Sequence, residues 1–112
     1  MKAARMKVVL TGAGGGIGAA IARALVSAGA SVLLVGRSED RLGALAADLD
    51  AEARTAVLAA DITRQEGRRA IQEAAAAMGA NVLVNNAGIP SFGTLASLDE
   101  VHVARVVETN LI

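Results

Sequence analysis

Short, continuously apolar runs alternate along this chain with longer segments of helical periodicity, and this alternation constrains the fold more than any other feature. The predicted strands span residues 7–11, 31–36, 55–60 and 82–84. The predicted helices span residues 16–28, 38–50, 63–78 and 101–112. Strands that are apolar throughout are typical of a parallel sheet covered on both faces, which makes the fold class α/β. Right-handed crossovers then give the strand order 3-2-1-4, the N-terminal half of a doubly wound parallel sheet with helices on both faces.

Local signals at the ends of these segments support the assignment. Gly29 follows the first helix at the position of a C-cap glycine, and Ser38 can cap the second helix. Residues 63–66 and 97–100 each fit a capping box that opens a helix. No linker or low-complexity segment interrupts the alternation, so residues 1–112 are predicted to form one domain.

The composition excludes several classes of function. The formal net charge is zero, which leaves no electrostatic footprint for nucleic acid or an anionic membrane. The absence of Cys excludes disulfides, thiolate nucleophiles and the commonest zinc sites, and no other cluster of metal ligands suggests a metal site. Tyr is also absent, which excludes any mechanism that needs a phenol from these residues.

The N-terminal segment has some features of a secretory signal. Lys2 and Arg5 precede an apolar run, and residues 28–30 resemble a cleavage site. The glycines of residues 12–18 interrupt the supposed apolar region, and Arg23 interrupts the apolar stretch after them. No uncharged apolar stretch reaches the roughly 18–20 residues that a membrane span needs. We therefore expect a soluble, cytoplasmic protein.

A glycine-rich turn between the first strand and the first helix is the sharpest local motif. Glycines let the main chain approach a pyrophosphate closely, and the helix N-terminus supplies free N–H groups and the positive end of the helix dipole. The motif therefore predicts a dinucleotide phosphate site formed by Gly12, Gly14, Gly15, Gly16, Ile17 and Gly18. The alternative is that these glycines only permit close packing of the helix on the sheet, which needs fewer of them.

The residues after the second strand predict the ribose preference. An acidic residue there would accept hydrogen bonds from the ribose hydroxyls and repel a 2′-phosphate, but this chain has Gly36, Arg37 and Ser38. Arg37 offers a planar, permanently charged group to a phosphate, and Ser38 offers another donor. This favours NADP(H) as the cofactor, with NAD(H) as the second choice. The alternative is a solvated Arg at the start of a helix, beside Glu39 and Asp40.

Further polar residues follow the third and fourth strands, at the edge where open α/β sheets bind ligands. Asp61 is placed to meet an adenine amino group while Ile62 packs on the ring; the alternative is a carboxylate in a turn before Thr63. Residues 85–88 read Asn-Asn-Ala-Gly. Adjacent Asn residues can join neighbouring loops and reach the cofactor ribose, and the glycine lets the main chain pass close by. The alternative is a simple turn.

These motifs resemble, in order and spacing, those of the classical short-chain dehydrogenase/reductase family. The resemblance is carried by residues 11–18, Asp61, residues 85–88 and Asn110, and it covers essentially the whole chain. Residues 106–111 look much like the 3-oxoacyl-carrier-protein reductase branch. The family implies a Rossmann-like fold and an NAD(P)(H)-dependent oxidoreductase that moves a hydride to or from a carbonyl or alcohol.

The resemblance also implies roles for individual residues. Arg37 would bind the 2′-phosphate, and Asp61 and Ile62 would lie around the adenine. The ribose and nicotinamide side would be lined by Asn86, Ala87 and Gly88. Asn110 would shape the active site and help to hold a proton-relay water.

The family's other catalytic groups, a Ser and a Tyr-x-x-x-Lys pair, have no match in these 112 residues. Lys2 and Lys7 lie too early to substitute, and His102 lies about 12 Å from Asn110 along a helix axis. We therefore expect binding of NADP(H) without turnover by these residues alone. Two alternatives stay open: an active oxidoreductase completed in trans by another chain, and a non-catalytic NADPH-binding or interaction module.

The predicted strand order also bears on partners. The fourth strand would form an open apolar edge, and the unpaired main-chain groups of such an edge recruit other strands. The last predicted helix, residues 101–112, would likewise lack covering neighbours. We expect self-association or pairing with a complementary chain through these two surfaces, and no nucleic-acid or membrane partner.

Overall fold

The computed structural model describes residues 5–86, which form a parallel sheet with helices on both of its faces. The strands are β1 (Lys7–Thr11), β2 (Ser31–Gly36), β3 (Thr55–Ala59) and β4 (Val82–Asn85). The helices are α1 (Gly16–Ser27), α2 (Glu39–Leu49) and α3 (Gln65–Met78), and a short 3₁₀ turn, Glu52–Arg54, precedes β3.

The sheet has the order β3-β2-β1-β4, and every pair of neighbouring strands is parallel. In the centre of the sheet Val9 of β1 lies between Leu33 of β2 and Leu83 of β4. This confirms the predicted α/β class and the predicted strand order.

Each face of the sheet carries its own buried cluster, because successive side chains of a strand point to opposite faces. On one face α1 and α2 contribute Ala22, Val26, Leu42 and Leu45 to a cluster with Val8, Leu10, Val32 and Leu34. On the other face α3 contributes Ile71 and Ala75 to a cluster with Val9, Leu33 and Val35. Both faces of β1 and β2 are therefore dry, which explains why these strands are apolar throughout.

Two of the predicted helix ends are confirmed in detail. After α1, Gly29 has a φ of 101° and its N–H donates to the carbonyl of Val26, while the N–H of Ala30 donates to that of Leu25. This is the hydrogen-bond pattern of a Schellman motif. At the start of α2, the Ser38 hydroxyl accepts a hydrogen bond from the N–H of Arg41 at 3.2 Å.

The predicted capping box at residues 63–66 is wrong. The helix begins at Gln65, its N-cap is Arg64, and no side chain caps it. The N–H and the hydroxyl of Thr63 both donate to Asp61 Oδ1 instead, at 2.9 and 2.6 Å. A carboxylate is a strong acceptor, so Asp61 engages the residue that was expected to start the helix.

The other strand ends differ only slightly from the predictions. Asn85 extends β4 and pairs in register with Thr11, whereas β3 ends at Ala59. The predicted last helix and the capping box at residues 97–100 lie outside the described residues. Within the described part of the chain, no helix combines the length and the apolar character that crossing a bilayer requires.

Candidate functional site

A cleft of about 730 Å³ lies where β1, β2 and β3 end. Parallel strands bring their carboxyl ends to one edge of the sheet, so the segments that follow the strands meet there. The lining residues are Gly12, Gly14, Gly15, Gly16, Ile17, Val35, Gly36, Arg37, Ser38, Arg41, Ala60, Ile62, Thr63 and Asn86. The cleft thus brings together the glycine-rich turn, the basic residue after β2 and the first residues after β3 and β4.

The glycine-rich turn presents main chain rather than side chains to this cleft. Gly12 has a φ of 66°, which a residue with a side chain rarely adopts. The N–H of Gly15 donates to the carbonyl of Gly12 at 3.3 Å, and the N–H of Ala13 donates to that of Val35 at 3.0 Å. These bonds close the turn and attach it to β2. The first turn of α1 leaves N–H groups without intrahelical acceptors, and its N-cap, Gly15, has no side chain to satisfy them.

Gly16 and Gly18 differ in surroundings although they lie two residues apart. A Cβ at Gly16 would have no atom within 4 Å, so the space beside this residue is open. A Cβ at Gly18 would overlap the carbonyl oxygen of Gly12 and lie 2.9 Å from the Cα of Ala13. Gly18 is buried behind the turn. Its missing side chain permits close packing of the helix, which is the alternative role that the sequence left open for these glycines. Ile17 lines the cleft with 72% of its surface exposed.

Arg37 and Ser38 form the wall of the cleft that follows β2. The Arg37 side chain is 75% exposed, and its Nη2 lies 3.7 Å from Oδ1 of Asp61. Such an exposed, long contact is weak and leaves the guanidinium able to take another acceptor. Arg41 also lines the cleft, and it was not identified from the sequence. The available signal was its position in the first turn of the helix that Ser38 caps.

Asp61 is not among the residues that line the cleft, but it lies beside Arg37, and Thr63 holds its carboxylate. Both hydrogen bonds from Thr63 and the contact with Arg37 go to Oδ1, and Oδ2 accepts no hydrogen bond from the residues that the structure describes. The pKa of the Asp61 carboxyl is lowered, first by the Thr63 hydroxyl and then by the Thr63 N–H. Desolvation opposes this effect, and the positive charges of Arg37 and Arg64 add to it. The group is therefore a carboxylate at neutral pH.

Gly67 is a supporting residue that was likewise not identified from the sequence. A Cβ at this position would overlap the main-chain carbonyl of Asp61, with its carbonyl carbon only 2.7 Å away. The missing side chain lets α3 pack directly against the segment that carries the carboxylate. The available signal was a glycine inside a helix, which costs about 1 kcal/mol relative to Ala and so indicates a packing reason.

Thr11 joins the end of β1 to the end of β4. Its hydroxyl donates to Asn85 Oδ1 at 2.6 Å and accepts from the N–H of Asn86 at 3.0 Å. Thr11 is 1% exposed, and both hydrogen bonds are partly buried. Asn85 lies in the strand and ties two neighbouring segments, whereas Asn86 lines the cleft. The other predicted residues lie outside the described part of the chain: Ala87, Gly88, His102 and Asn110.

The sheet order, the helices on both faces and the glycine-rich turn after β1 define an α/β protein with a Rossmann-like fold. Residues 5–86 contain no group of three or more His, Cys, Asp or Glu side chains that could hold a metal ion.

Comparison with known proteins identifies the family. A family model described as short chain dehydrogenase matches residues 6–112. The acetoacetyl-CoA reductase of Acinetobacter sp. (strain RA3849) is 40% identical over 108 residues, which cover 92% of this chain and 44% of that protein. The chain therefore belongs to the short-chain dehydrogenase/reductase family, as its motifs predicted. It spans less than half the length of the curated relatives it matches.

Solved structures agree with this assignment. The glucose dehydrogenase of Caenorhabditis elegans in its apo form has a TM-score of 0.82 at 25% identity, covering 97% of this chain and 53% of that one. The L-sorbose reductase of Gluconobacter frateurii, complexed with NADPH and L-sorbose, has a TM-score of 0.71 at 29% identity. The match covers 99% of this chain and 49% of that one.

Proposed function

We propose that residues 1–112 are the NADP(H)-binding portion of a short-chain dehydrogenase/reductase-type oxidoreductase. One observation carries this proposal: a single cleft joins an uncapped, glycine-lined helix N-terminus to an exposed arginine after the neighbouring strand. The two features match the two anionic parts of NADP(H), its pyrophosphate and its 2′-phosphate. The NADPH in the related L-sorbose reductase supports the same cofactor class.

The pyrophosphate fits beside the glycine-rich turn. The open space at Gly16 gives a phosphate room to approach the N–H groups of the first turn of α1. Gly14 and Gly15 add main chain without side-chain bulk to the same wall. Ile17 would cover the cofactor from the cleft rim, which gives this exposed apolar side chain a partner. Gly18 would contribute by holding the helix against the turn.

The adenosine end fits between the segments that follow β2 and β3. Arg37 would bind the 2′-phosphate with Ser38 beside it, because a phosphate is a better partner for the guanidinium than the distant Asp61 carboxylate. The Oδ2 of Asp61 would accept a hydrogen bond from the adenine amino group, and Ile62, which lines the cleft, would pack on the ring. No acidic side chain follows β2 directly, at the position where a carboxylate would bind the ribose hydroxyls and repel a 2′-phosphate.

The remaining residues would serve the nicotinamide end. Asn86 lines the cleft beyond β4, and Ala87 and Gly88 follow it in sequence. Asn110 would lie at the active site, as it does in the family motif. The cofactor, when bound, would donate a hydride to a carbonyl in its reduced form or accept one from an alcohol in its oxidised form. These 112 residues contain no Tyr, so we propose that on their own they bind the cofactor without turnover.

Cofactor titration tests this proposal directly. The chain has no Trp or Tyr, so NADPH fluorescence can be followed without interference from the protein. We expect NADPH to bind at least roughly 10-fold more tightly than NADH, the effect of one hydrogen bond to a charged group. The variant Arg37→Gln reduces this difference, whereas Arg69→Gln, on α3 away from the cleft, keeps it. Equal affinity for the two cofactors would contradict the NADP(H) preference, and binding of neither would contradict the proposal.

A turnover assay and a mass measurement distinguish the alternatives. With acetoacetyl-CoA as a trial substrate, we expect no consumption of NADPH by the isolated chain; turnover would show that its residues suffice for catalysis. An enzyme completed in trans needs contact between chains, for which the proposed surfaces are the β4 edge and residues 101–112. We expect a dimer or larger species by light scattering at micromolar concentration. A folded monomer would contradict this association.

A further inference from the structure

We propose that Arg41 is a second specificity-determining residue, which binds the 2′-phosphate of NADP(H) together with Arg37. This inference rests on the proposed function, since only NADP(H) brings a 2′-phosphate to the cleft. It adds a residue from α2 to a site that Arg37 and Ser38 would otherwise form alone.

The local structure fixes where Arg41 lies. Its N–H donates to the Ser38 hydroxyl at 3.2 Å, which ties its main chain to the residue next to Arg37. Its side chain lies against the glycine-rich turn, with Cβ 3.7 Å and Cδ 4.0 Å from the position of a Cβ built on Gly14. The stem thus packs along the turn, and the residue lines the cleft.

The charge of Arg41 is available to a ligand. Several other arginines are already engaged: Arg23 is 2.6 Å from Asp48, and Arg54 and Arg68 donate to main-chain carbonyls. The Arg41 side chain makes no ion pair or hydrogen bond with the residues that the structure describes. Neighbouring Glu39 does not line the cleft.

The charge of the ligand explains why two arginines fit better than one. A phosphate monoester carries a charge of about −1.5 to −2 at pH 7. Arg37 supplies one positive charge and already lies near the Asp61 carboxylate, which offsets part of it. A second guanidinium in the same cleft brings the local charge closer to balance with the 2′-phosphate, a group that NAD(H) lacks.

The test compares the two cofactors across matched variants. Arg41→Gln keeps most of the stem that packs on the turn and removes the charge, and Arg41→Lys keeps the charge without the planar donor group. Arg69→Gln removes the same charge from α3 at a distance from the cleft. Dissociation constants of NADPH and NADH are measured for each variant by cofactor fluorescence, and far-UV circular dichroism checks folding.

We expect Arg41→Gln to weaken NADPH binding by roughly 10-fold while the NADH dissociation constant stays within about twofold. Arg41→Lys should recover part of the loss, and Arg69→Gln should match the unmodified chain. If NADPH is preferred in the unmodified chain but Arg41→Gln changes neither constant, or changes both equally, Arg41 does not bind the 2′-phosphate and the proposed function stands. If the unmodified chain binds neither cofactor, both proposals fail.

Discussion

Replacing Gly18 by Ala should destabilise the fold, whereas the same change at Gly16 should not. Both residues lie in the first turn of α1, where Ala is a better helix former than Gly by at most about 1 kcal/mol. The difference lies in what the new methyl group meets. At Gly18 it overlaps the main chain of Gly12 and comes within 2.9 Å of the Ala13 Cα, whereas at Gly16 it meets nothing within 4 Å.

The magnitude follows from the rigidity of the opposing atoms. The turn cannot move easily, because Gly12 has a φ of 66° and Ala13 is hydrogen-bonded to β2. Overpacking costs about 1–3 kcal/mol, and main-chain contacts place Gly18→Ala at the upper end. After the gain in helix propensity, we expect a net loss of about 2 kcal/mol in the free energy of unfolding. Gly16→Ala should gain between zero and about 1 kcal/mol.

Urea unfolding followed by far-UV circular dichroism provides the assay. With a slope of about 1.5 kcal/mol per molar urea, a difference of about 2–3 kcal/mol separates the two midpoints by about 1.3–2 M. The slopes should agree, since neither variant changes how much surface unfolding exposes. A Gly18→Ala midpoint equal to or above that of Gly16→Ala would refute the packing role assigned to Gly18.

Three further substitutions test other contacts. Thr11→Val leaves Asn85 with an unsatisfied acceptor and should cost about 1–3 kcal/mol in the free energy of unfolding measured in urea, while Thr11→Ser should restore most of the loss. Arg54→Ala removes hydrogen bonds of 2.9 and 3.1 Å to main-chain carbonyls at and just after the end of α1 and should cost roughly 1–3 kcal/mol in the same assay. The lowered pKa of Asp61 means that its carboxylate stabilises the fold above the unfolded-state pKa of about 3.9, and that this contribution disappears as the pH falls through the folded-state value. Asp61→Asn keeps an acceptor for Thr63 but removes the charge. It should therefore have a lower urea midpoint than the unmodified chain at pH 6, and the two midpoints should differ less at pH 3. Equal differences between the midpoints at both pH values would contradict the lowered pKa.

Features with a local physical cause could be predicted from the sequence. A hydroxyl at Ser38 can only cap a helix that begins with the next residue, and Gly29 can take the positive φ that ends α1. The continuous apolar character of β1 and β2 follows from burial on both faces, and the parallel order then follows from the handedness of the crossovers. For the two helix ends, the pattern and its cause lie within a few residues of one another.

Residues were missed where their role depends on how separate elements pack against one another. Arg54 stabilises the end of α1 through carbonyls 24 and 28 residues away, and nothing in its own neighbourhood distinguishes it from a solvated arginine. Gly67 matters only because α3 packs onto Asp61. The capping box at residues 63–66 failed for a related reason: a pattern that fits one local hydrogen bond does not exclude a stronger acceptor two residues upstream.

Thr11 shows why the framework of the cleft and the recognition of a ligand can be separated by experiment. It ends β1, is followed directly by Gly12, and holds Asn86, the residue after β4, through a partly buried hydrogen bond. Loss of its hydroxyl therefore loosens two walls of the cleft at once, so cofactor affinity and stability should decrease together in Thr11→Val. Arg37 is exposed and makes only a weak ion pair, so its replacement should change cofactor affinity while the free energy of unfolding stays within about 0.5 kcal/mol. A loss of affinity is therefore attributable to recognition only where stability is retained.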